Sequence, residues 1–102
     1  MHPLIAARRD DISRICREHH IHRLEVFGSA ARATDFDPAR SDADFLVEFE
    51  PEAKSGLSSY FAFKEALESV LQRGVDLVEP GAVRNPYLLA GINNAREVVY
   101  VA

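Results

Sequence analysis

From Leu4 to His20 the apolar positions Leu4, Ile5, Ile12, Ile15, Cys16 and His19 recur at helical spacing, while Arg8, Arg9, Asp10, Arg14, Arg17 and Glu18 fall largely elsewhere. This pattern predicts one amphipathic helix. Arg23-Leu24-Glu25-Val26-Phe27 alternates with period two and stops at Gly28-Ser29, which reads as a short strand running into a tight turn. Residues 33–41 hold turn formers with no sustained period and lead into Asp42-Ala43-Asp44-Phe45-Leu46-Val47-Glu48-Phe49, a second strand. After a loop over 51–56, Leu57, Tyr60, Phe61, Leu67, Val70 and Leu71 mark a second helix, whose apolar face Phe63 widens and which Gly74 is placed to terminate. Val75-Asp76-Leu77-Val78-Glu79 follows as a third strand. Asn85-Pro86 has the form of an N-cap with proline at the first helical position, and Leu88, Leu89 and Ile92 supply an apolar face. Val98-Val99-Tyr100-Val101 reads as a short edge strand.

The order helix, strand, strand, helix, strand, helix, strand alternates too irregularly for an all-parallel sheet. The expectation is an α+β fold, a small mixed β-sheet with helices packed on it. The 102 residues form one domain over 1–102, with no internal repeat or linker. Hydrophobic residues at 47% and charged residues at 27% are close to the average of a folded globular protein. The formal net charge is -4 and the basic residues are scattered, which disfavours direct binding to a nucleic-acid backbone. A single cysteine, Cys16, excludes an internal disulfide. No apolar run is long enough to span a membrane, and Met1-His2-Pro3-Leu4 lacks a signal-peptide pattern, so the expected location is the cytoplasm.

The chemistry concentrates in acids at strand starts. Asp42 and Asp44, at i and i+2, project from the same face of their strand. Two carboxylates so placed repel unless a cation neutralises them, and magnesium, which prefers oxygen ligands, suits them. Asp76 sits in an otherwise apolar strand, where the neighbours predict burial and a charge in need of compensation. If its strand lies beside that of Asp42 and Asp44, the three carboxylates can bracket two metal ions about 3.5–4 Å apart, as in-line phosphoryl chemistry requires. An Asp-x-Asp alone is usually structural or solvated. The upstream turn adds weight, because Gly28 allows close backbone approach and Ser29 offers an amide and a hydroxyl to a phosphate. Arg32, an ordinary surface arginine if taken singly, faces the same anion if a helical turn begins at Ser29.

Other candidates carry less. His19, His20 and His22 lack a further ligand at zinc spacing and fit capping, packing or solvent exposure better. Tyr60, Phe61 and Phe63, at helical spacing, fit a core better than a base-stacking platform. Cys16 falls on the apolar face of its helix, as a buried thiol rather than a nucleophile would.

Together, Gly28-Ser29-Ala30-Ala31-Arg32, Ser41-Asp42-Ala43-Asp44-Phe45-Leu46-Val47-Glu48-Phe49 and Val75-Asp76-Leu77-Val78 resemble the minimal nucleotidyltransferases of the DNA polymerase beta superfamily, in the same order and over nearly the whole chain. The resemblance implies the nucleotidyltransferase fold, with Gly28, Ser29 and Arg32 binding the triphosphate. It also implies Mg2+, two ions held by Asp42, Asp44 and Asp76, with Asp76 helping to activate the acceptor hydroxyl. The chain departs from the family pattern in a longer spacer between Ser29 and Asp42, and in Ala33, where a glycine often follows the arginine.

Members of this group often act as antitoxins that transfer AMP from ATP to a tyrosine of a HEPN-domain ribonuclease toxin. The resemblance therefore implies that function here, with the toxin as partner in a hetero-oligomer. A stand-alone transferase acting on a small molecule or an RNA end, and a catalytically silent binding module, are the alternatives.

Overall fold

The computed structural model describes residues 3–27, 43–51, 57–79 and 96–102. Helices α1 (Pro3–Ala7) and α2 (Arg9–Glu18) precede strands β1 (Ile21–Phe27) and β2 (Ala43–Phe49). Helix α3 (Leu57–Leu71), β3 (Val75–Val78) and β4 (Arg96–Val101) follow. The predicted turn over 33–41 and the predicted helix beginning at Asn85-Pro86 lie outside the described residues.

The expected single first helix is broken at Arg8. Its amide bonds the Ile5 carbonyl at 3.1 Å, a tight i to i−3 contact, and its own carbonyl accepts the first α2 bond from Ile12 at 2.9 Å. Ile5 and Ile12, on either side of the break, are both fully buried in the same core. Helix α2 then follows its pattern. Asp10 and Asp11 lie in the first turn and Arg17 in the last, each complementing the helix dipole, while Ile12, Ile15 and Cys16 are buried.

The four strands form one mixed sheet in the order β3-β2-β1-β4. Central β1 pairs antiparallel with both β2 and β4, and β2 pairs parallel with β3. Strand β1 begins at Ile21, two residues before its alternation is evident, because fully buried Ile21 pairs with Phe49. Strand β4 takes the expected edge position and begins at Arg96, earlier than its apolar run.

One face of the sheet holds the core. Leu24 and Val26 of β1, Ala43, Phe45 and Val47 of β2, Val75 and Leu77 of β3 and Val99 of β4 pack against Ile5, Ile12, Ile15 and Cys16. Phe63, Leu67 and Leu71 of α3, spaced four apart along one helical stripe, complete it. Phe61 departs from its expected core position and is 49% exposed. Two residues turn a helix through about 200°, so Phe61 lies opposite the Phe63 stripe. His19 packs its ring 5.7 Å from that of Phe63, while His20 and His22 are exposed.

Helix α3 ends differently from the glycine cap expected of Gly74. The left-handed residue is Gln72, at φ 56°, whose amide bonds Glu68 at 2.8 Å and whose side chain donates to the Ser69 carbonyl at 2.7 Å. This side-chain bond lets glutamine stand where glycine is usual. Gly74 instead offers its carbonyl to the Ala43 amide at 3.1 Å, joining the start of β2 to the start of β3. Tyr60 donates its hydroxyl to the Leu77 carbonyl at 2.6 Å, and the Glu68 carboxylate accepts the Val75 amide at 3.2 Å. Both bonds fix β3 against α3. No described helix is long and apolar enough to cross a membrane.

Candidate active site

Because side chains alternate along a strand, the residues between the core positions share the second face of the sheet. There the register aligns a row across all four strands. Asp76 pairs with Asp44, Asp44 with Phe27, and Phe27 with Arg96. Paired residues of adjacent strands lie roughly 5 Å apart, so the two carboxylates stand side by side on one face. The adjacency of β2 and β3 on which the acidic site depends is thus present.

Asp44 is half-buried and Asp76 is exposed. The burial expected for Asp76 is not observed. Strand β3 is an edge strand whose Val75 and Leu77 point to the core, which turns Asp76 to the open face and leaves it hydrated. Asp42, Gly28, Ser29 and Arg32 lie outside the described residues.

Paired carboxylates supply hard oxygen donors of the kind magnesium takes. Among the described residues the softer ligands are elsewhere: His19, His20 and His22 lie at or near the far end of β1, and Cys16 is enclosed in the core, where burial pushes its thiol up to about 12. Asp44 and Asp76 are oxygen donors of the type a divalent cation takes, and among the described residues no group of three or more His, Cys, Asp or Glu side chains is gathered to hold one.

The next row holds residues that the sequence pattern does not single out. Glu25 is 3% exposed, yet its carboxylate is gripped by two arginines. The Arg96 Nε lies 2.5 Å from Oε2 and its Nη2 donates to Oε1 at 3.2 Å, and the Arg23 Nε donates to Oε1. The paired guanidiniums offset what an isolated buried carboxylate would cost. Together with Leu46 and Glu48 these three residues line a shallow depression. Phe27, Leu46 and Val78 form a small apolar cluster between the acids and this clamp. The spacing of Arg23 and Glu25 at i and i+2 is a legible hint, but Arg96 is 71 residues away and only pairing brings it in.

The sequence of residues 9–99 matches the family model described as nucleotidyltransferase domain. A protein of Methanocaldococcus jannaschii named "putative protein adenylyltransferase" is 30% identical over 99 residues, covering 89% of this chain and 95% of its own. A second protein of that organism with the same name is 34% identical over 84 residues, covering 82% of this chain and 80% of its own. Among solved structures, a "putative minimal nucleotidyltransferase" superposes with TM-score 0.73 at 32% identity, covering 95% of both chains. A Shewanella oneidensis complex of a tri-AMPylated HEPN toxin with its MNT antitoxin gives TM-score 0.65 at 16% identity, covering 96% of this chain and 73% of that one, a likeness of fold. With its mixed sheet, its aligned carboxylates and a sequence match over nearly its full length, the chain belongs to the nucleotidyltransferase family of enzymes.

Proposed function

We propose that this single-domain chain is an antitoxin-type protein adenylyltransferase, acting in the cytoplasm. It transfers AMP from Mg-ATP to a hydroxyl, a tyrosine in our reading, of a HEPN-domain ribonuclease and so neutralises it. The observation that carries the transferase reading is the register of Asp44 against Asp76 on the open face. The protein acceptor is supported by the names of the M. jannaschii relatives, and the HEPN partner by the fold shared with the antitoxin of the S. oneidensis complex.

In this assignment Asp42 and Asp44 would hold the metal ions. Asp76 would complete the metal site and help to activate the acceptor hydroxyl. Gly28, Ser29 and Arg32 hold the triphosphate. Magnesium, when bound, supplies neutralisation of phosphate charge and a lower pKa for the attacking hydroxyl. The exposure of Asp76 suits a carboxylate that must meet an incoming protein side chain.

The test incubates the protein with magnesium, alpha-labelled ATP and a HEPN-domain protein encoded beside it, with Asp44→Asn as control. The expected result is an added AMP mass on a tyrosine of that protein, reduced at least about 100-fold in the control. Label confined to RNA or a small molecule overturns the protein acceptor. Undiminished transfer by Asp44→Asn overturns the metal assignment.

A further inference from the structure

Strand β4 carries a β-bulge beside Glu25. Leu24 pairs with Tyr100 but Glu25 pairs with Val98, so Val99 is an extra residue on the edge strand. Had the register run on regularly from Leu24 and Tyr100, Phe27 would face Glu97, and an acid would end the row that already holds Asp44 and Asp76. The bulge puts Arg96 there instead and pairs Glu97 with Val26. Bulges re-aim side chains in this way and are frequent beside active sites.

The irregularity is held from both faces. On the core side, Arg9 of α2 donates its Nε to the carbonyl of Val99 at 3.3 Å. On the open face, buried Glu25 takes Arg96 through two nitrogens, which fixes the plane of the guanidinium, while the Arg96 side chain stays 41% exposed. Two separate devices thus set the position of one cation.

The order of the row gives that cation a task, on the reading that Asp44 and Asp76 form the transferase site. In an in-line displacement the acceptor oxygen bonds to the α-phosphorus as the bond from that phosphorus to the bridging oxygen breaks. The bond pair leaves on pyrophosphate and the acceptor proton passes to a base. Acceptor and leaving group occupy opposite sides of the α-phosphate. With Asp76 on the β3 edge facing the acceptor, pyrophosphate departs toward β1 and β4. Arg96 lies on that side, two strand spacings or roughly 10 Å from Asp44 by backbone position.

The geometry points to Arg96 as a further binding residue for the departing pyrophosphate, and to Glu25, with the β4 bulge, as its positioning residue. Glu25 takes the Nε and Nη2 side of the guanidinium, and the cation so held meets negative charge that grows as the bond breaks.

Arg96→Ala, Arg96→Lys and Glu25→Gln in the full chain, with magnesium, test this by calorimetric binding of ATP, inorganic pyrophosphate and AMP, with thermal melts alongside. For Arg96→Ala the expected result is about tenfold weaker ATP and pyrophosphate binding with AMP binding unchanged. Arg96→Lys and Glu25→Gln show the same selectivity with smaller losses. If the alanine variant does not fold, the split between pyrophosphate and AMP is read on Arg96→Lys. Equal losses for ATP, pyrophosphate and AMP, or no change in any, overturn the inference. Transfer abolished in Asp44→Asn alongside either result leaves the transferase reading standing without it, whereas full transfer by Asp44→Asn removes the reading itself.

Discussion

His20 closes helix α2 at φ 57°, a left-handed backbone that costs a residue with a Cβ about 1–2 kcal/mol. Its backbone bonds, the amide to the Arg17 carbonyl at 3.4 Å and the carbonyl to the Glu50 amide at 2.9 Å, need no side chain. His20→Gly relieves the strain and keeps both, against roughly 0.5–1 kcal/mol of added chain entropy in the unfolded state. The net gain is about 0.5–1 kcal/mol, which for a domain of this size raises Tm by roughly 3–6 °C. Gln72→Gly serves as the internal comparison. Gln72 has nearly the same φ, 56°, but its side chain bonds the Ser69 carbonyl at 2.7 Å, an exposed contact contributing about 0.5 kcal/mol, so the substitution gains little. Thermal and urea unfolding followed by circular dichroism should rank His20→Gly above Gln72→Gly, with His20→Val below the parent protein. A Tm lowered by His20→Gly, or equal gains at both sites, would refute the reasoning.

Phe63 is fully enclosed between His19, Phe49 and the sheet, so Phe63→Ala should cost about 3–5 kcal/mol and shift the urea midpoint without altering its slope. The Cys16 thiol, raised by burial from 9.0 to about 12, stays protonated in the fold at pH values where an unfolded thiol ionises. The unfolded state then binds fewer protons, so stability should fall as pH rises from about 9 toward 12, and Cys16→Ala should lessen that slope in melts across the range. The same burial predicts that alkylating reagents label Cys16 in denaturant and not in the native protein.

The alternation of Leu24 to Phe27 and the largely apolar run of Val75, Leu77 and Val78 identify strands, because a period of two places every second side chain on one face only when the backbone is extended. The helix of residues 57–71 is likewise legible from its four-residue stripe. Helix ends are less so. Gly74 has the residue type of a cap but Gln72 supplies it, because a side-chain hydrogen bond can replace glycine's conformational freedom. The break at Arg8 is hidden because the apolar spacing continues through it. Apolar neighbours imply burial of Asp76 only in a central strand, and β3 is an edge strand, whose outer face stays wet.

Local periodicity and an ordered string of motifs suffice for the four strands, the helix of residues 57–71, the α+β class and the family, whereas the first helix is two and the predicted helix at Asn85-Pro86 lies outside the described residues. The motifs also name Asp44 and Asp76 as partners, conditional on strand adjacency. Folding in three dimensions was needed to make β2 and β3 parallel neighbours in the register that aligns those acids, and to join Glu25 to Arg96 through a bulge on the far edge. Strand order, register and bulges depend on pairing between distant segments, and a single strand's alternation is equally compatible with many partners.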